Sequence, residues 1–376
     1  MRITILSALF LLASLNLAAQ GDINQTAEGY FNSANTKLDL GDNRGAIQDY
    51  SKAIKLDPGD PLAYYNRGVA KDDLGDFSGA IQDYNKAIEL NPDYANAYCN
   101  RGVDKSDLGD NRGAIQDYNK AIELNPDYAL AYYNRGVDKS DLGDNRGAIQ
   151  DYNKAIELEP DYTKAYNNRG HAKYRLGDNR GAIQDYNKAI ELNPDYAEAY
   201  CNRGVAKYDL GDNRGAIQDY DKAIELEPDY VLPYNDRGAA KALLGDYTEA
   251  IQDYNKAIEL NPDYVLAYVN RGHAKALLGD YTEAIQDYNK AIELEPDYTK
   301  AYNNRGIAKY RLGDNRGAIQ DYNKVIELDP DYAEAYNNRG IAKYRLGDKD
   351  GSCLDWNKAG ELGNEKAYDL FKEYCQ

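Results

Sequence analysis

Nine prolines, Pro58, Pro92, Pro126, Pro160, Pro194, Pro228, Pro262, Pro296 and Pro330, stand 34 residues apart with no insertion or deletion between them. A fixed period of this size means a stack of one small supersecondary unit, since such a unit cannot bury its apolar face alone and must press it against a neighbour. With the proline at repeat position 32, the chain divides into ten repeats: 27–60, 61–94, 95–128, 129–162, 163–196, 197–230, 231–264, 265–298, 299–332 and 333–366. The tenth holds Asn364 where the proline would stand.

Each repeat reads as two helices. The first covers about positions 2 to 14 and runs into Leu-Gly-Asp, as in Leu74-Gly75-Asp76 and Leu210-Gly211-Asp212. Glycine there can take the left-handed conformation that closes a helix, and the aspartate can cap the next one. The second is the block Ala-Ile-Gln-Asp-Tyr-Asn-Lys-Ala-Ile-Glu-Leu, for example Ala114 to Leu124, whose apolar residues recur at helical spacing. The proline ends it, because its ring excludes continuation. Small residues recur at positions 8 (Gly68, Gly102, Gly136), 20 (Ala80, Ala114) and 27 (Ala87, Ala121). Tyrosine fills the large sites, at position 4 in all ten repeats and at position 24 in nine, with Trp356 in the tenth. This explains a composition of 37 Tyr against 4 Phe and 1 Trp. Small set against large across two helices lets them interdigitate without voids.

Gly or Ala at position 8, Ala at 20, Tyr at 24, Ala at 27 and Pro at 32 resemble the tetratricopeptide repeat family over residues 27–366. The resemblance implies an all-α, right-handed superhelical solenoid of helix-turn-helix repeats, whose first helices line a concave wall that holds an extended peptide or a partner helix. Two positions depart from the family pattern: 7 is Arg in nine repeats (Arg67 to Arg339), and 11 is Lys in all ten (Lys37 to Lys343). With Asp at position 23 throughout (Asp49 to Asp355), a ladder of Arg-to-Asp pairs is one reading. Solvated surface charge is the other, and exposed pairs contribute only about 0 to 1 kcal/mol each. The sequence leaves open whether each Arg meets the Asp of its own repeat or of a neighbour.

In the family the groove is lined from positions 2, 5, 9, 12 and 13. Repeats three and four carry Val103, Ser106, Asp107 and Val137, Ser140, Asp141 there, a small and acidic lining. Repeats five and nine carry Lys164, Asn167, His171, Tyr174, Arg175 and Lys300, Asn303, Ile307, Tyr310, Arg311, a basic and aromatic one. Repeats seven and eight carry Leu232, Leu243, Leu266, Val269 and Leu277, an apolar one. Tyr65, Tyr133, Tyr208, His273, Tyr344 and Arg345 complete the candidate face. Mixed chemistry of this kind suits a protein or peptide partner. A saccharide stacked on the groove tyrosines is the alternative, and duplication of repeats could by itself produce the pattern. The family's clamp for a C-terminal carboxylate is not expected, because position 5 is never Lys.

A formal charge of -18 and a pI near 4.7 argue against nucleic acid or an anionic membrane surface as partner. No motif for a nucleophile, a phosphate loop or a metal occurs, and His171 and His273, the only histidines, lie three repeats apart. No cofactor, no metal and no enzymatic activity are expected.

Both ends carry further expectations. Met1-Arg2, an apolar run from Ile3 to Leu17 and then Ala18-Ala19 read as an export signal over 1–19, followed by a short segment 20–26. The mature chain is then periplasmic or extracellular, with no membrane insertion; an uncleaved anchor is the alternative. Residues 367–376 are expected to form a capping helix over the last repeat, with Cys353 and Cys375 brought level and joined in a disulfide. Two buried free thiols are the alternative there, while Cys99 and Cys201, three repeats apart, are expected to stay unpaired. Asp246-Tyr247-Thr248-Glu249 and Asp280-Tyr281-Thr282-Glu283 read as capping boxes that should make the second helices of repeats seven and eight start more firmly than those that open on Asp-Asn-Arg-Gly.

Overall fold

A computed structural model describes residues 26–375, so the expected signal 1–19 and all of the segment 20–26 except Thr26 lie outside the described residues. Every regular element among the described residues is an α-helix, 21 in tandem. The chain divides after Leu192 into two compact halves. Within each half every helix packs against the one before it and the one after it, the arrangement of a solenoid of helix pairs.

In repeat three the first helix is Ala95–Asp107 and the second Asn111–Leu124. Leu108 caps the first, and Gly109 turns the chain at φ +83°. The second helix starts three residues before its Ala-Ile block because Asp110 acts as N-cap: Oδ1 accepts the backbone N–H of Gly113 at 2.9 Å. A Cβ on Gly113 would lie 2.1 Å from Asp110 Oδ2, so the cap closes only over glycine.

That contact overturns the capping-box expectation. With Glu249 and Glu283 in the glycine's place, Asp246 and Asp280 make no side-chain cap hydrogen bond. The two glutamates turn instead to Lys241 and Lys275, at 3.7 and 3.2 Å. Asp110→Ala is therefore expected to cost about 1 kcal/mol and Asp246→Ala only a few tenths of that, measured by urea unfolding. Equal losses would contradict the cap geometry.

Position 8 shows why the pairs fit. A Cβ on Gly102 would lie 2.6 Å from Cε1 of Tyr118, so the ring rests directly on the backbone of the first helix and is 1% exposed. Ala114 and Ala121 flank that ring, fully buried. Gly340 receives Trp356 in the same way in repeat ten.

The position 7 arginines are not solvated surface charge. Arg135 Nε donates to Asp151 Oδ2 at 2.9 Å and Nη2 donates to Oδ1 at 2.6 Å, both within repeat four. Lys139 Nζ pairs with Oδ2 at 2.7 Å, and Arg135 Nη1 donates to Asn119 Oδ1 of the preceding repeat at 2.6 Å. The guanidinium carbon also lies 5.3 Å from the centre of the Tyr132 ring. The other eight arginines, from Arg67 to Arg339, each reach the Asp of their own repeat. In repeat one, Ser33 stands where the others have Arg. Burial would push the Asp49 carboxyl up, but hydrogen bonds from Lys37, Lys52 and Ser33 hold it at about 2.

The last repeat is closed by a helix over Glu365–Cys375, two residues earlier in its start than the sequence suggested. Leu370, Phe371 and Cys375 pack against Trp356, Ala359 and Ala367. The structure joins Cys353 to Cys375 with Cα atoms 5.7 Å apart, while Cys99 and Cys201 are buried free thiols. Reduction is expected to weaken docking of this terminal helix by about 3 kcal/mol in the chain-entropy model. Alkylation of the native protein checks the pairing: Cys353 and Cys375 should react only after reductant, and reaction without it would refute the bond.

Candidate functional site

The first helices present the residues that vary from repeat to repeat. Asp107, Asp141, Lys164, His171, Arg175, Leu243, His273, Leu277, Lys300, Arg311 and Arg345 are exposed, and Tyr174, Tyr208 and Tyr310 are half-buried. Position 5 behaves otherwise. Asn167, Val269 and Asn303 are 0%, 6% and 4% exposed, so these three expected groove residues are closed to a partner. The reason is direction: position 5 points into the seam with the next repeat, where Val269 shares a cluster with Ala301 and Ala308.

Three tyrosines of the candidate face are likewise engaged. Tyr65 lies 4.8 Å from Tyr94 and 5.8 Å from Tyr84 between ring centres, and its hydroxyl accepts from Asn100 Nδ2 at 3.1 Å. Tyr133 repeats this with Tyr162, Tyr152 and Asn168. Tyr344 lies between Trp356 and Tyr374, at 5.7 and 5.1 Å. These rings serve the seams, which removes them as open platforms for a sugar.

In the C-terminal half, three cavities lie along repeats eight to ten. His273, Leu277, Tyr288, Asn304, Ile307 and Arg311 line one of about 190 Å³. Ile307, Tyr310, Arg311, Glu334, Asn338 and Ile341 line the next, of about 370 Å³. Tyr310, Arg311, Asn315 and Arg345 border a third, of about 310 Å³. Arg311 belongs to all three. Together the three bring apolar side chains, two guanidinium groups, a carboxylate and side-chain amides to neighbouring places on three successive repeats.

The helix pairs and their period agree with what family models recognise. A TPR repeat model matches residues 34–71, 73–103, 106–137, 140–177, 170–211, 241–279, 274–313 and 308–347, and two tetratricopeptide repeat models match 197–230 and 219–252. The chain belongs to the tetratricopeptide repeat family. No curated protein matches it. Among solved structures it is similar to a tetratricopeptide repeat protein from Parabacteroides merdae, 25% identical, with 66% of this chain and 99% of that one covered at a TM-score of 0.52. It is similar in fold alone to the APC/C hetero-tetramer Cut9-Hcn1, 15% identical over 94% of this chain and 84% of that one at a TM-score of 0.55. YrrB, described as a TPR protein with an unusual peptide-binding site, is 26% identical over 51% of this chain and 97% of its own, at a TM-score of 0.43. Tetratricopeptide repeats are protein-interaction scaffolds, and this chain has their fold.

One departure from the repeat pattern was visible in the sequence and passed over. Position 10 of a tetratricopeptide repeat here is alanine in seven repeats, but repeats three and four carry Asp104 and Asp138, 0% and 1% exposed. Asp138 Oδ1 accepts from Ser106 Oγ at 2.6 Å, while neither oxygen of Asp104 meets a donor. Burial, reinforced by the charge of Asp72, pushes Asp104 up to about 8, and burial pushes Asp138 up to about 6. Asp72 is itself raised by burial, so the Asp72 and Asp104 carboxyls can meet only by sharing a proton. Among the described residues no group of three or more His, Cys, Asp or Glu is placed to hold a metal, and no helix is long and apolar enough to cross a membrane.

Proposed function

We propose that this tetratricopeptide repeat protein is an exported scaffold that grips an extended segment of a partner protein along the first helices of repeats eight to ten. One observation carries the reading: the three cavities that share Arg311 combine apolar, cationic and amide groups on one face of successive repeats. A polypeptide in extended form can satisfy these together, with side chains over Ile307 and Ile341, carboxylates toward Arg311 and Arg345, and its backbone against Asn304 and Asn338. Residues 1–19 support export, as does the Cys353–Cys375 bond, which suits an oxidising compartment.

Peptide and glycan arrays probed with the purified protein test the reading. Retention of peptides should fall about tenfold or more in Tyr310→Ala and Arg311→Glu, both at positions lining these cavities. Retention of glycans with no peptide retained would replace it by the saccharide alternative. Fractionation of the native host tests export: protein found only in the cytoplasm with Met1 to Ala19 intact would refute it.

A further inference from the structure

A separate cavity of about 160 Å³ opens between repeats six and seven, lined by Val205, Tyr208, Asp209, Tyr220, Asp236 and Ala239. Two substitutions in repeat seven set its lining apart from that of the cavity at the same register between repeats nine and ten, where Asn338 and Ile341 stand. Ala239 stands at position 9, where the other repeats carry Val, Ile, His or Asn. Asp236 stands at position 6, where nine repeats carry Asn. Elsewhere that Asn amide donates into the preceding repeat, as Asn100 does to Tyr65 and Asn270 to Asn235, at 3.1 and 3.0 Å. A carboxylate has no proton to donate, and the residue across the seam is Cys201. Asp236 is instead held from its own side: Asn235 Nδ2 donates to Oδ1 at 3.0 Å.

We infer that this cavity seats one ammonium or guanidinium group, the side chain of a lysine or arginine carried by the partner, and the inference rests on the peptide-scaffold reading above. None of the six lining residues is basic, two are carboxylates, and the Tyr208 and Tyr220 rings wall the space. A cation entering it gains an acceptor at Asp236 and aromatic faces, while its methylene stem lies against Val205 and Ala239. None of the lining residues supplies that positive charge. Burial pushes the Asp236 carboxyl up to about 6, with only the Asn235 amide working against it. Burial raises the Tyr208 hydroxyl, and the charges of Asp209 and Asp236 add to it. A free organic amine offers the same chemistry as a lysine side chain, so the test separates the two.

Two variants alter the cavity with residues that other repeats already carry there: Asp236→Asn removes the charge, and Ala239→Ile keeps the charge while changing the apolar wall to the one repeat ten has. Both should unfold at or above the temperature of the parent protein. Each protein is titrated with n-butylammonium and with n-butanol, then probed with short capped peptides differing only in a central Lys, Arg, norleucine or Glu. The expected result is that n-butylammonium binds the parent and n-butanol does not. Lys and Arg peptides should be retained about tenfold better than norleucine, and both preferences should vanish in Asp236→Asn and persist in Ala239→Ile. Equal retention of Lys and norleucine, or an undiminished preference in Asp236→Asn, overturns the inference and leaves the scaffold reading standing. Binding of n-butylammonium that depends on Asp236, with no peptide retained, keeps the cation seat as a site for a free amine and overturns the scaffold. No binding of either probe overturns both.

Discussion

Replacing Asp151 by alanine is expected to destabilise the N-terminal half by about 3 kcal/mol, whereas Lys154→Ala, one helical turn away, should cost less than about 0.5 kcal/mol. The two ion pairs have the same length: Lys139 to Asp151 and Lys154 to Glu157 are both 2.7 Å. Burial separates them. The Asp151 side chain is 5% exposed and is held by two bonds from Arg135 as well as by Lys139, whereas the Glu157 side chain is 68% exposed. Removing Asp151 leaves a guanidinium and an ammonium facing each other with little water and no anion between them. It also frees Arg135 from its register against Asn119, so the seam to the preceding repeat loosens with the pair. Denaturant unfolding of the two variants measures the contrast, and equal losses would mean that the buried bracket is no stronger than a surface pair. Each repeat contacts only its neighbours, so the loss should appear in hydrogen exchange as an opening centred on repeats three and four.

The fold was legible because the sequence states it ten times. The prolines at a period of 34, glycine at position 8 and tyrosine at position 24 each report one packing contact, and Gly102 under Tyr118 is that contact seen in space. The arginine ladder was legible as a pattern and illegible as a geometry. Periodicity cannot say whether a residue at position 7 reaches its own repeat or the one before, and Arg135 does both. Position 5 misled for a related reason: Val269 and Asn303 vary as groove residues vary, yet they vary to fit the next repeat. The capping boxes misled because a four-residue motif shows which groups could bond but not that Asp110 needs the room over Gly113. The cation cavity shows the opposite case, since Asp236 and Ala239 each break a column that the other repeats keep. Such breaks were the signal to follow.

Asp104 breaks another such column, and replacing it by alanine is expected to stabilise the protein. Alanine at position 10 already fits beside the ring in seven repeats, so Asp104→Ala introduces no foreign shape. What it removes is a fully buried carboxyl with no donor to either oxygen. Such a group costs about 1 to 3 kcal/mol when left unsatisfied. The sign of the pH dependence follows from the direction of the shift. Burial and Asp72 raise the folded carboxyl from 3.8 to about 8, so between these values the folded chain holds a proton that the unfolded chain releases. The contribution of Asp104 to stability is therefore fully present below about pH 4 and is lost as pH rises through about 8. The advantage of Asp104→Ala should be small at pH 4, grow with pH, and level off above 8. Asp72 and Asp104 titrate as a pair, so part of the shift passes to Asp72 in the variant, which keeps the gain near the lower figures. Asp107→Ala is the control: it removes a carboxyl of the same kind from an exposed site nearby and should change stability by no more than about 0.5 kcal/mol at any pH. Urea unfolding of the three proteins at pH 4, 6 and 8 decides the matter. A gain that does not grow with pH, or one that Asp107→Ala matches, would show that Asp104 is not a protonated acid held inside the stack.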